Sequence, residues 1–239
     1  VADSPAIARS APLAPMQRMA AEHLARSLRE SVPVTLHGAA DAEALAVLRA
    51  RLNADPARAG RPRITYTHLV VKAVAQALRA HAGLNATLEG REVRYYADIN
   101  IGVALALPDG NLVVPVIRNA DASSVEAIAL ALGRLEERAA AGKLQLPDVQ
   151  GATFTVSNGG MVPSARWTTP IIPLGQAAIL GLGAVHEAAV AREGKVAVRR
   201  VLPTSLTFDH RFVNGVPAAR FLDDLHALIA DAQRIELGV

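Results

Sequence analysis

Seven histidines, no cysteine and a few strand-end polar residues bound the chemistry open to this chain. Without cysteine there are no disulfides, no thiolate metal sites and no cysteine nucleophile. Any thiol chemistry must use a thiol that a substrate brings. His23, His68, His81 and His226 fall in or beside predicted helices, His37 follows a short strand, and His186 lies near a strand end. No pair has the HExxH spacing of a zinc site, so these six read as core or surface residues. His210 stands apart. In SLTFDHRFVNG a run of β-formers stops and a turn begins. A base at a strand end is held firmly and stays reachable, and an unperturbed pKa near 6.5 suits proton transfer at neutral pH. Asp209 and Arg211 flank it and could pair with each other, which leaves a structural histidine open on the residues alone. Ser157, in FTVSNGG, read alone is a strand-end serine capping a turn. Asn214-Gly215 opens the last predicted helix, and Gly215 permits a tight entry to it.

The elements that would position these residues can be read from periodicity and breakers. Residues 1 to 15 mix Pro, Ala and Ser without a period and read as linker. A helix is predicted from Met16 to Glu30, with Met19, Ala20, His23, Leu24 and Leu28 near one face, and Pro33 breaks it. A strand at Val34 to Leu36 comes next, then a helix capped by Asp41 that carries Leu45, Leu48 and Leu52. A third, buried helix spans Thr67 to Ala80. Hairpins are predicted around Glu89-Gly90 and at Pro108-Asp109-Gly110. Ser123 or Ser124 caps a long helix ending near Gly142. A strand at Ala152 to Ser157, a Gly/Pro-rich loop, a buried central strand in AAILGLGAV and a strand from Val196 to His210 precede the last helix. Strands and helices intermingle without the alternation of a doubly wound fold. The expectation is one α/β domain, a mixed sheet with helices packed mainly on one face.

With 239 residues, 51% of them apolar, the chain can bury a substantial core. Its formal charge is +3 and its basic residues are interspersed with acidic ones. The dense basic stripe and stacking aromatics of a nucleic-acid groove are missing. No apolar run reaches the roughly 20 residues that span a bilayer, and no signal-peptide pattern opens the chain. It starts at Val1 without a methionine, which suggests an excised part of a longer protein.

The segment LTFDHRFVNGVPAARFL resembles the HxxxDG signature of dihydrolipoamide acyltransferases, the core subunits of 2-oxoacid dehydrogenase complexes and relatives of chloramphenicol acetyltransferase. Other segments resemble the family in order: APMQRMAAEHLARS its first helix, NIGVALALPDGNLVVPVIRNAD its central hairpin, GKLQLPDVQGATFTVSNGG the approach to its second catalytic residue, and TPII with AAILGLGAV the run beyond that residue. The resemblance implies a chloramphenicol acetyltransferase-like fold, with residues 1–15 the end of a linker and 16–239 the catalytic domain. It makes His210 the general base and Ser157 the hydroxyl that steadies the oxyanion. Asn214 stands where the family usually has Asp, as an uncharged positioning group. The loop GGMVPSARWTTPIIPLGQ departs too. It is one residue longer than usual, and Pro173 replaces an Asn.

The implied reaction moves an acyl group, acetyl as first choice, between dihydrolipoamide and coenzyme A, with no metal. Coenzyme A is a substrate, and the lipoyl group rides on a separate upstream domain. Implied partners are that lipoyl domain and the 2-oxoacid decarboxylase and dihydrolipoamide dehydrogenase components. The implied assembly is a homotrimer, extended to a 24- or 60-subunit core, in bacterial cytoplasm or the mitochondrial matrix. His210 of one chain would meet Ser157 of its neighbour, and an apolar tail with Ile235, Leu237 and Val239 would link trimers; packing of that tail back onto its own helix is the alternative reading of the same residues. Two alternatives are a non-catalytic core scaffold and a small-molecule acetyltransferase of the chloramphenicol type.

Overall fold

In the computed structural model, which describes residues 5–107, 110–192 and 194–235, the first element is helix α1 (Pro15–Glu30). Pro15 suits the first helical position, where its missing N–H is no loss, and Gln17 Oε1 accepts from the Ala14 amide at 3.2 Å. Ser31 is extended and Pro33 prevents continuation. The expected apolar face stays uncovered: Met19, Leu24 and Leu28 are exposed. Ser27 is buried, and its hydroxyl donates to the Ile172 carbonyl.

β1 (Pro33–Asp41) runs further than the three residues expected, because all nine pair with a later strand, β10 (Lys195–Asp209). His37 therefore lies within β1, not after it. That pairing also claims Asp41, so the cap of α2 (Glu43–Ala54) is Ala42, although Asp41 Oδ1 still accepts from the Glu43 amide at 3.1 Å. α2 buries Leu45 and Leu48. α3 (Tyr66–Leu78) starts at Thr65, whose hydroxyl accepts from the His68 amide while His68 Nδ1 accepts from the Thr65 amide at 3.1 Å. Most of α3 is buried, as its apolar sequence requires. The ammonium of buried Lys72 is satisfied by the carbonyls of Asp121 and Ser123, at 2.6 and 2.9 Å.

β2 (Ala86–Glu89) and β3 (Glu92–Tyr95) form the expected hairpin, with Gly90 at φ 61°. β4 (Ile101–Ala106) is followed by β5 (Leu112–Val113) and β6 (Val116–Ile117), both paired back onto it. Pro108 and Asp109 of the expected turn lie outside the described residues. Ser124, not Ser123, caps α4 (Val125–Ala140), accepting from the Ala127 amide at 3.0 Å. A short α5 (Leu146–Val149) leads to β7 (Phe154–Asn158), β8 (Ala178–Leu182), β9 (His186–Arg192), the long β10 and α6 (Gly215–Ala230).

The main sheet has the order β1-β10-β8-β7-β4-β5, with β6 also on β4 and β9 on β10. β7 pairs parallel with β4 and β8, and the other pairs are antiparallel. This is the expected mixed sheet. Strand alternation sorts its two faces. Phe154, Val156, Leu180, Leu206 and Phe208 join the core with Phe221 and Leu225 of α6, and the Phe154 and Phe221 rings lie 5.7 Å apart. Thr155, Ser157, Gly181, Ser205 and Thr207 point the other way. The segment 159–176 lies against that second face, and two glycines make room for it. A Cβ at Gly183 would sit 2.0 Å from the Arg166 carbonyl oxygen, and one at Gly181 would sit 2.6 Å from Thr168 Oγ1.

Candidate active site

His210 is the first residue beyond β10, and the turn that carries it is tied on every side. Its amide donates to the Val32 carbonyl at 2.8 Å. The Asp209 carbonyl accepts from the Val213 amide at 3.0 Å, and Asp209 Oδ1 accepts from the amides of Val32 and Arg211 at 3.2 and 3.1 Å. The pairing foreseen between Asp209 and Arg211 is present: Arg211 Nη2 lies 2.6 Å from Asp209 Oδ2. The His210 ring is 5.6 Å from that of Phe208, on the helix-covered side of the sheet, and the residue is exposed. Around it Val32, Val34 and Val216 are exposed as well.

Asn214 caps α6 with extended backbone, but its side chain makes no capping bond and is exposed. Its amide group is thus available to a ligand, four residues along the chain from His210. Gly215 begins the helix.

Ser157 lies elsewhere. Across the sheet it stands in one row with Gly181 and Ser205, two strands from β10 and five residues before His210 along the chain. About 3.3 Å per residue and about 4.8 Å per strand put it roughly 19 Å from His210. It also points to the opposite face. Within one chain, then, His210 and Asn214 share the short connection between β10 and α6, and Ser157 stands apart from both. Ser157 is half-buried, and its hydroxyl has no hydrogen-bond partner among the described residues. Its neighbours are fixed: Thr155 Oγ1 donates to Gln176 Oε1 at 2.8 Å, Asn158 Nδ2 donates to Thr67 Oγ1 at 2.9 Å, and Asn158 Oδ1 accepts from the Gly160 amide at 2.8 Å. A free hydroxyl on a braced strand end is a ready donor.

A cavity of about 270 Å³ opens beside Asn158, with Arg49, Tyr66, Thr67 and Met161 in its walls. A larger one, about 330 Å³, lies at the far end of β10 among Asp41, Val47, Arg192 and Gln233, away from all three residues. Sequence reading misses Val32, Thr67 and Gln176 as supports, because partners this distant in the chain leave no local pattern. No group of three or more metal-ligating side chains is found among the described residues.

Residues 5–237 match the family model of the 2-oxoacid dehydrogenases acyltransferase catalytic domain. A dihydrolipoyllysine-residue succinyltransferase of Haemophilus influenzae is 32% identical over 97% of this chain and 57% of its own length. A dihydrolipoyllysine-residue acetyltransferase of the acetoin cleaving system of Bacillus subtilis is 34% identical over 90% of this chain and 54% of its own. The chain spans about half the length of the curated relatives it matches. Among solved structures, Azotobacter vinelandii dihydrolipoamide acetyltransferase superposes with TM-score 0.90 at 33% identity, covering 98% of this chain and 99% of that one. The cubic core of a pyruvate dehydrogenase multienzyme complex gives TM-score 0.89 at 33% identity and the same coverage. A chloramphenicol acetyltransferase, at 15% identity and TM-score 0.50 over 88% of this chain and 92% of that one, shares the fold. The Azotobacter work concerned a serine, a histidine and an asparagine in the catalytic mechanism, the asparagine four residues after the histidine and the serine 52 before it. Here Asn214 follows His210 by four and Ser157 precedes it by 53, as a loop one residue longer requires.

Proposed function

The chain belongs to the 2-oxoacid dehydrogenase acyltransferase catalytic-domain family, and on that premise we propose that it transfers an acyl group between dihydrolipoamide and coenzyme A at a site completed by a second copy of itself. The observation that carries the reading is His210, exposed, at the end of a rigid strand and locked by backbone bonds on both sides.

The chemistry starts from a thiol that is mostly protonated at neutral pH, although the thiolate is the nucleophile. Neutral His210 takes the proton of the coenzyme A thiol as its sulfur attacks the carbonyl carbon of acyl-lipoamide. The carbonyl oxygen becomes an oxyanion, and the Ser157 hydroxyl donates to it, an interaction worth about 3 kcal/mol in comparable sites. When the intermediate collapses, the bond from carbon to the lipoamide sulfur breaks, and that sulfur takes the proton back from the imidazolium. Proton and acyl group have changed places, with no acyl-enzyme and no net charge. Asn214 stays neutral throughout and holds a polar group of substrate or water beside the base.

The roughly 19 Å between His210 and Ser157 in one chain, estimated from strand geometry, supports a site shared between chains. So do the bare valines around His210, which a neighbouring copy would cover. A trimer is the proposed unit, with the cubic-core neighbour favouring further assembly. The proposed partners are a lipoyl domain upstream and the decarboxylase and dihydrolipoamide dehydrogenase components. Acetyl is the acyl group favoured by the asparagine four residues after the histidine, where the family usually has Asp, shared with the Azotobacter acetyltransferase. Succinyl is the second reading, favoured by relatives such as the Haemophilus succinyltransferase. Rates with acetyl-, succinyl- and branched-acyl-coenzyme A, each with dihydrolipoamide, test both the activity and the choice. Acetyl turned over fastest is expected. No transfer from any of the three would overturn the activity, and faster succinyl transfer would overturn the choice.

A further inference from the structure

Asp209 is 3% exposed, yet it sits at the end of β10 where the chain returns to solvent. Its carboxylate is bound from three directions. Oδ1 accepts from the Val32 amide at 3.2 Å, the Arg211 amide at 3.1 Å and Arg211 Nε at 3.0 Å. Oδ2 accepts from Arg211 Nε at 2.9 Å and Arg211 Nη2 at 2.6 Å. Its backbone carbonyl closes the turn on the other side, through Phe212 and Val213. His210 is the one residue between the two partners of this pair. Val32 binds the arrangement twice, giving its amide to Asp209 and its carbonyl to the His210 amide.

Holding the fold together does not call for such a device. The two side chains are two residues apart, so their pairing closes no long loop, and β10 is already fixed by β1 and β8. The Arg211 side chain is 38% exposed, so the pair gains only part of what a dry interior would give. The geometry does fix the direction in which the turn leaves the strand, and with it the imidazole. A planar guanidinium engaging both carboxylate oxygens sets angle as well as distance, which a point charge does not.

We propose that Asp209 and Arg211 form a positioning clamp that sets the attitude of the His210 imidazole toward the reacting thiol, with Val32 as its anchor. The clamp rests on the reading of His210 as the base. Neither clamp residue touches substrate. Loosening them changes how well the base is aimed while leaving substrate binding alone. Misplacement of a catalytic group by about 1 Å costs on the order of a hundredfold in rate.

The test uses the assembled protein with coenzyme A and dihydrolipoamide as varied substrates. Arg211→Lys keeps the charge and loses the fork, and it should lower kcat about tenfold with both KM values within about twofold. Asp209→Asn keeps an oxygen for the Val32 and Arg211 amides but turns an amide N–H₂ toward the guanidinium, and it should lower kcat about a hundredfold. The double variant Asp209→Asn/Arg211→Lys should be no worse than Asp209→Asn, since one clamp is broken once. If Asp209→Asn does not fold, Arg211→Lys still decides. Wild-type kcat in folded Arg211→Lys, or a raised KM at unchanged kcat, overturns the clamp. Strictly multiplicative losses in the double variant also overturn it. His210→Ala is assayed alongside. If it is inactive while the clamp variants are normal, only the clamp falls. If it keeps wild-type activity, the reading of His210 falls first.

Discussion

A site built from two chains makes a quantitative demand on mixtures. Ser157→Ala protein retains every His210, and His210→Ala protein retains every Ser157. Alone, the first should lose about 10²- to 10³-fold, as when an oxyanion donor is removed, and the second about 10²- to 10⁴-fold. In a ring that joins the base of each chain to the hydroxyl of the next, equal random mixing restores both groups at about a quarter of the interfaces. Refolding the two variants together should therefore return about a quarter of wild-type activity, against at most about one percent for either alone. Native mass spectrometry of differently tagged chains verifies that mixed rings formed. The expectation rests on strand geometry: five residues along β10 and two strands across separate Ser157 from His210, and their side chains leave opposite faces of the sheet. Mixed rings that stay at the residual level of the two variants would place both groups in one chain's site and refute that geometry.

Asn214→Asp should change kcat by less than about tenfold, or 1.4 kcal/mol on the barrier, because the side chain is exposed and makes no capping bond; steady-state rates on folded protein check this, and loss of activity would show that the neutral amide is required. Burial lowers the pKa of His68 to about 4, so the native state resists a proton that the unfolded chain takes up near 6.5. Stability should then fall as pH drops from about 6.5 toward 4, by on the order of 3 kcal/mol in total. His68→Gln, which can still accept from the Thr65 amide, should lose less between pH 7 and 5 in thermal melts; equal losses would refute the assignment, with the burial-lowered His226 contributing equally to both proteins. Ile235→Ala should destabilise the folded domain by about 2 to 4 kcal/mol, since Ile235 is 2% exposed in the chain's own core; denaturant midpoints unchanged from wild type would argue against that packing.

Legibility in the sequence depends on how local the determining contacts are. The His210 turn, the Ser157 strand end and the His–Asn spacing are short-range patterns, and all three can be read directly. The hairpin β2–β3 and the cap of α4 also declare themselves within a few residues. β9 does not, because HEAAVAR carries three alanines and a single β-branched residue, a composition that favours no strand, and pairing with β10 imposes the conformation. β1 extends through Gly38 and two alanines for the same reason. The apolar tail reads as a docking element, yet Ile235 folds back onto its own core beside α6, while Leu237 and Val239 lie outside the described residues. The opposite holds at α1, whose apolar residues stay bare on a single chain. Periodicity identifies an apolar face and is silent on which chain covers it. The clamp around His210 shows the same limit at a smaller scale. The pairing of Asp209 with Arg211 is visible in the sequence, but Val32, 177 positions upstream of Asp209, is not.

The most direct test of the central claim is the rate of acyl transfer from acetyl-coenzyme A to free dihydrolipoamide, measured side by side for wild-type and His210→Ala protein. Both must first be shown to share one assembly state and one melting temperature. The account predicts transfer by the wild type and a loss of about 10²- to 10⁴-fold in the variant, the usual range for removal of a general base. A correctly assembled His210→Ala protein that transfers acetyl at the wild-type rate would contradict it.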